Sequence, residues 1–321
     1  MKYPVTVDIS EVDGLQTALN AKANVNNVFA PMPQIKITGL NPDVGHPYQI
    51  SSLLNRWLYN KPDGTFEEYR GIFVNSATGI GSSTFIAAAL SNATAIDMTG
   101  IHGFLGITLT GSVASLTAPD LITCGTISCS FSTALTSLSL PNCISITGAI
   151  NFPSGGALGT ISLPKLRYIG ASGGGINLSN QPLVVLNLPS LETSASTGAA
   201  LTITNCAALT TINLPLLKRS INSFSGVSIT DCAALTTINM PNFVYGLSPI
   251  SNITLTGNAL SQATVDGILT LVAQWDGTNG KMSFGAGRTL SLTGGTNATP
   301  SAAGLASKAI ITARGATVTH N

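Results

Sequence analysis

From about residue 93 to residue 260, apolar residues alternate with Ser, Thr and Asn in short runs, and the runs recur along the chain. Each repeat has the form Ile-x-Leu-x-Asn-x-x-Ala-Leu-x-x-Ile-x-Leu-Pro-x-Leu. Two copies match almost letter for letter, Ile203-Thr-Asn-Cys-Ala-Ala-Leu-Thr-Thr-Ile-Asn-Leu-Pro215 and Ile229-Thr-Asp-Cys-Ala-Ala-Leu-Thr-Thr-Ile-Asn-Met-Pro241, offset by 26 residues. Alternation with a period of two predicts strands that turn Ile and Leu inward and Thr, Ser or Asn outward, two short strands to each repeat. The marker prolines Pro119, Pro141, Pro164, Pro189, Pro215 and Pro241 fall at spacings of 22, 23, 25, 26 and 26. Proline has no N–H for a ladder, so each is expected to end the second strand, and the Leu or Phe after it to turn the connection back into the core.

A period of 20–29 residues with Leu-x-x-Leu-x-Leu, and an Asn or Cys just after a strand, resembles the leucine-rich-repeat family. The resemblance implies a mainly β fold whose body, residues 91–259, is a leucine-rich-repeat-like solenoid. Asn180, Asn205, Asp231 and Asn258 recur in or beside one bend of the repeat, where their side chains are expected to bond buried backbone groups of adjacent turns. Gly- and Ser-rich insertions, Gly170–Gly175 and Lys218–Ser225, are expected to leave the solenoid on one face, in the loop after the proline.

A stack of repeats leaves its last apolar surface uncovered, so residues 260–321 are expected to form an α/β C-terminal cap with a polar outer face. Ser261–Ala273 reads as a helix with Ser261 as N-cap and Val265, Ile268, Leu269 and Val272 on one stripe. A strand Thr289–Thr293, a Gly-Gly-Thr-Asn turn, a helix from Pro300-Ser301 to Gly315 and a strand to His320 follow. The run Gly294–Val318 resembles the C-terminal module that closes leucine-rich-repeat proteins of phages and their bacterial hosts, with Ala316 where such modules often carry Trp.

At the other end, Ser10–Ala23 reads as a short amphipathic helix with Val12, Leu15 and Leu19 along one face. Alone it is too short to be stable, and a three-chain bundle would bury the stripe. Asp13-Gly-Leu-Gln-Thr-Ala-Leu-Asn-Ala-Lys-Ala23 resembles a motif of bacteriophage tail-fibre proteins, where it lies in trimeric segments. Residues 1–31 are therefore expected to anchor and oligomerise the chain. Residues 32–90, richer in aromatic and charged side chains such as Trp57, Glu67, Glu68 and Arg70, are expected to form a small α+β linking domain.

Composition narrows the function. Only 8% of residues are charged, the net charge is +1, and no Lys or Arg occurs between Arg70 and Lys165, which argues against nucleic-acid binding through phosphate neutralisation. No run reaches 18 apolar residues and the first residues hold no apolar leader, so neither membrane insertion nor export is expected. Five cysteines, all within the repeats, read as buried free thiols of a protein assembled in a reducing cytoplasm. Between residues 100 and 258 the acids are Asp120, Glu192 and Asp231, at different phases of the repeat, a poor basis for the paired carboxylates of a glycosidase. His46, His102 and His320 are dispersed, Cys124 and Cys129 lack a second pair, and Asp276–Gly280 reads as a tight turn. No catalytic residue, metal or cofactor is expected.

With the two terminal resemblances, these readings imply a non-enzymatic homotrimeric virion fibre subunit, exposed on the virion exterior and assembled in the bacterial host cytoplasm. Its N-terminal region would bind other virion proteins of capsid or tail, and its solenoid would attach to a host cell-surface glycan or protein. A purely structural head fibre or decoration protein is the alternative, and a polysaccharide-cleaving tailspike the remote one. Lys218, Arg219, Phe224 and Tyr245 are the expected loop residues for receptor contact.

Overall fold

The computed structural model describes residues 36–38, 47–51, 56–60, 66–69, 84–86, 95–98, 103–109, 113–129, 134–153, 155–170, 175–195, 199–221, 225–243, 252–278 and 283–321, all within one compact unit, Gln34–Asn321. Val12, Leu15, Leu19, Phe224 and Tyr245 lie outside these residues. The described residues are mainly β, with parallel ladders through the repeats and two helices near the C-terminus. Within 32–90 they are strands, including the antiparallel set Pro47–Ser51, Arg56–Asn60 and Phe66–Tyr69. The helical part expected of that α+β domain is not among them.

Each central repeat holds three short strands rather than the expected two. One repeat contributes Thr160–Ser162, Tyr168–Ile169 and Ile176–Ser179, and the next contributes Val185–Asn187, Thr193–Ala195 and Ala199–Thr204. The strand that sequence reading missed, Tyr168–Ile169, is two residues long and too short to display an alternation. Strands pair in parallel with their counterparts one repeat on, as in Leu186 with Ile212 and Ile212 with Ile238, or Leu178 with Ile203 and Ile203 with Ile229; the ladder breaks between Thr160–Ser162 and Val185–Asn187, which belong to separate sheets. The alternation forces this register, because a slip of one residue would turn every Ile and Leu to solvent.

The run before each proline adds three buried columns to the interior. Leu135, Leu158, Leu183, Leu209 and Leu235 stack in the first, Leu138, Ile161, Leu186, Ile212 and Ile238 in the second, and Leu140, Leu163, Leu188, Leu214 and Met240 in the third. Each such side chain contributes about 1.5–3 kcal/mol relative to exposure. The prolines do more than stop a strand. Each occupies the second position of a β-turn closed by a bond such as Leu166 N–H to Leu163 C=O or Leu217 N–H to Leu214 C=O, both 3.2 Å, where its fixed φ suits the geometry. The residue after the proline ties turns together: Asn142 Nδ2 donates to Pro119 C=O (2.9 Å) and Asn242 Nδ2 to Pro215 C=O (2.8 Å). Leu121, Leu166, Leu191, Leu217 and Phe243 are buried behind the turns, as expected. The Gly170–Gly175 insertion comes one strand later than expected, after Ile169 rather than straight after the turn, and Arg219 belongs to a strand, Arg219–Ile221, not a loop.

The recurring polar bend residues divide between two roles. Asn180, Asn205 and Asp231 have φ of 54°, 54° and 58°, and their side chains are exposed rather than bonded to buried backbone. They supply the left-handed conformation the bend needs, which Asn and Asp tolerate better than other non-glycine residues. In the next repeat Gly257 takes that conformation, with φ of 69°. Asn258, fully buried, does satisfy adjacent backbone: its Oδ1 accepts from Cys232 N–H (3.0 Å) and its Nδ2 donates to Ile229 C=O (2.9 Å).

The cap extends the main sheet by Thr289–Leu292 and Thr317–His320, both parallel, through two crossover helices, α1 (Gln262–Ala273) and α2 (Ala302–Ala313). Ser261 and Ser301 cap them, accepting from Thr264 N–H and Gly304 N–H at 3.3 Å. Val265, Ile268, Leu269 and Val272 of α1 are buried, and Trp275 packs edge-on against Phe243 and Phe284 with centroids 5.8 and 6.0 Å away. Gly304 lets the helices meet closely, since a Cβ there would collide with the Asp266 carboxylate. One expectation for the cap fails: the outer face of α2 is apolar, not polar, with Leu305 46% and Ile310 50% exposed.

Candidate functional site

The third and fourth residues after the marker prolines from Pro119 to Pro215 form two adjacent columns. The first runs Ile122, Ile144, Arg167, Glu192, Lys218, joined by backbone bonds of 2.8–3.0 Å from each N–H to the C=O of the residue before it in the column. The second runs Thr123, Ser145, Tyr168, Thr193, Arg219, paired in register. Beside them lie the turn residues Asp120 and Lys165, and Lys165 Nζ donates to Asn142 Oδ1 at 2.7 Å. Asp120, Lys165, Arg167, Glu192, Lys218 and Arg219 are all but Asp231 of the charged residues between 100 and 258. The repeats are thus nearly uncharged except along this strip.

Within the strip Arg167 is the organising side chain. Its Nη2 lies 2.7 Å and its Nε 2.9 Å from Glu192 Oε1, and its guanidinium carbon sits 5.4 Å from the centroid of the Tyr168 ring. The hydrogen bond that Arg167 donates to Glu192, and the charge of that carboxylate, hold the guanidinium pKa above its ordinary value. Tyr168, Ile122 and Ile144 are 42%, 45% and 40% exposed, so an aromatic ring, two apolar side chains and fixed charges share one surface. Such a strip can stack on a ring-shaped polar ligand and donate charge-assisted hydrogen bonds to it.

Of the four residues expected to contact a receptor, Lys218 is exposed on this strip and Arg219 lies on the strand beside it; Phe224 and Tyr245 are outside the described residues. Sequence reading overlooked Arg167, Tyr168 and Glu192, although their place relative to Pro164 and Pro189 matches that of Lys218 and Arg219 relative to Pro215.

The opposite kind of surface is formed by Val185–Asn187, Thr211–Asn213 and Thr237–Asn239. Asn213 Nδ2 donates to Asn187 Oδ1 (2.9 Å) and Asn239 Nδ2 to Asn213 Oδ1 (2.7 Å), and Thr210 and Thr236 hydroxyls donate to Val184 and Thr210 carbonyls (3.1 and 3.3 Å). These amides and hydroxyls bond to one another along the ladder and carry no charge.

The five cysteines are buried and free. Burial pushes the Cys124 thiol up to about 12 and the Cys143 thiol up to about 11, the reverse of an activated nucleophile. The Cys206 and Cys232 thiols donate to the Thr204 and Thr230 carbonyls, and the neighbouring Cys206 thiol, with burial, drives the Cys232 thiol upward. Asp120, Glu192 and Asp231 occupy the turn, the strip and the left-handed bend, and Glu192 is held by Arg167. Among the described residues no group of three His, Cys, Asp or Glu side chains could hold a metal ion, and no helix is long and apolar enough to cross a membrane. Comparison of the chain with protein-family models, curated proteins and solved structures found no match.

Proposed function

We propose that this chain is a non-enzymatic bacteriophage fibre subunit whose body is a leucine-rich-repeat-like solenoid, and that the Arg167–Tyr168–Glu192–Lys218 strip attaches it to a glycan or protein of the host cell surface. The observation that carries the attachment role is the concentration of charge and exposed aromatic surface on one strip of an otherwise neutral body. The fibre role rests on the resemblance of Asp13–Ala23 to tail-fibre segments and of Gly294–Val318 to phage capping modules. Single contacts of this kind are weak, and several chains joined at one end would multiply them.

The test uses the full chain, labelled and offered to a panel of bacterial cells and their purified surface polysaccharides. Binding that survives in Asn213→Ala but falls at least tenfold in Arg167→Ala/Tyr168→Ala/Lys218→Ala, with unchanged melting, supports the reading. Binding undiminished in the triple variant would remove the strip from the account, and release of oligosaccharide from the polysaccharide would replace attachment with cleavage.

A further inference from the structure

We infer that α2 is a self-association surface on which a second copy of this chain packs its own α2 in antiparallel orientation. Ile311 and Gly304 of α2 face the interior, Ser307 meets Thr270 of α1, and Lys308 Nζ lies 3.0 Å from His320 Nε2 of the last strand. The opposite side of the helix is Ala302, Leu305, Ala306, Ala309, Ile310 and Ala313, all exposed. Their spacing of three and four residues makes one continuous stripe along the whole helix. A surface helix normally turns such a stripe inward; this one turns it to solvent.

The order of residues in the stripe identifies the occupant. Read from either end it is Ala-x-x-large-Ala-x-x-Ala-large-x-x-Ala, where the large residues are Leu305 and Ile310. The pattern is symmetric about the point midway between Ser307 and Lys308. A two-fold axis through that point sets Ala302 against Ala313 of the second copy, Leu305 against Ile310, and Ala306 against Ala309. Every such contact occurs twice, as in an isologous interface, and the palindromic order sets alanine against alanine and large residues level with large ones along the whole stripe. The four alanines let two helix axes approach closely, and the paired Leu and Ile fill the flanks. The stripe carries no charge, so a copy meets no repulsion and a charged partner finds no complement. The neighbouring strand Thr317–His320 ends the main sheet, which places an open sheet edge beside the apolar helix at the same end of the molecule. The helix spans 12 residues, about 18 Å, so the contact is small and its occupancy rises with concentration. This inference is independent of the attachment strip.

The experiment is oxidative cross-linking of the full chain carrying one added surface thiol; the native thiols are buried. Ala302→Cys mixed with Ala313→Cys is expected to give a cross-linked dimer under copper-phenanthroline, while either variant alone gives none, because like positions stand about 16 Å apart in an antiparallel pair. In parallel, Leu305→Glu/Ile310→Glu is expected to halve the solution mass measured at high concentration, with far-ultraviolet circular dichroism and melting unchanged. Cross-linking of Ala302→Cys with itself would overturn the antiparallel pairing. No cross-link in any mixture, or a solution mass indifferent to the double Glu variant, would overturn the second copy as the occupant.

Discussion

The repeats and the C-terminal cap satisfy their buried backbone by different means. In the repeats strand N–H groups meet strand C=O groups one repeat away, so small apolar side chains suffice inside, and one residue per bend, such as Asn205 with φ of 54°, absorbs the awkward geometry. In the cap the next strand follows only after a helix, and amide side chains take over. Asn297 Oδ1 accepts from Leu260 N–H (2.9 Å), and its Nδ2 donates to Leu255 and Leu292 carbonyls (2.9 and 3.0 Å). Asn321 Oδ1 accepts from Gly294 N–H (2.8 Å), ending the bend column that Asn180, Asn205, Asp231 and Gly257 began. Repetition is itself a hydrogen-bonding solution, and where it stops a side chain bearing one carbonyl and one NH2 can imitate the missing peptide.

That comparison can be broken most sharply at Asn297. Asn297→Ala leaves three buried backbone groups without their partner, and we expect a loss of about 3 kcal/mol or more in urea unfolding. Asn213→Ala, the same substitution on the exposed amide ladder, should stay within about 0.5 kcal/mol. Equal losses at the two sites would show that the cap does not depend on its buried amides.

A smaller effect separates the regions by pH, since Cys124 and Cys143 lie in the repeats and the cap has no cysteine. Their folded thiols are raised from 9.0 to about 12 and about 11. The stability they contribute is therefore complete below pH 9 and is lost as the pH rises through 11 and 12, when the unfolded chain already holds thiolates. The urea midpoint should fall between pH 8 and pH 11, and Cys124→Ala/Cys143→Ala should flatten that fall. An unaltered slope in the variant would assign the alkaline loss to other groups. The smallest effect belongs to the strip: Glu192→Gln removes an exposed ion pair and should shift stability by less than about 0.5 kcal/mol. A larger loss would mean that Arg167 and Glu192 brace the turns rather than merely decorate them.

Much of this was legible in the chain. The proline and leucine spacings gave the offset at which strands pair, the alternation gave the inward columns, and Ser261, Ser301 and Gly315 marked the helix ends. The strip was legible only in part. Lys218 and Arg219 stood out as adjacent bases, while Arg167, Tyr168 and Glu192 looked ordinary because the sequence keeps them roughly 25 residues apart, and only parallel pairing at that offset brings them side by side.

The sequence by itself determined the period, the strand faces and the helix caps, because these follow from local sterics and from which residues water excludes. Only the tertiary structure decided three things. It placed a third strand after the turns at Pro141, Pro164, Pro189 and Pro215, where the residues differ from repeat to repeat and show no shared alternation. It gave Asn180, Asn205 and Asp231 a backbone role and Asn258 a bonding role, since Gly257 takes the left-handed position and Asn258 the buried one after it. It also turned the alanine stripe of α2 outward, because Gly304 and Ile311 on the other side of the helix meet α1 and the sheet, and a helix with two faces able to be buried settles only when its neighbours are in place.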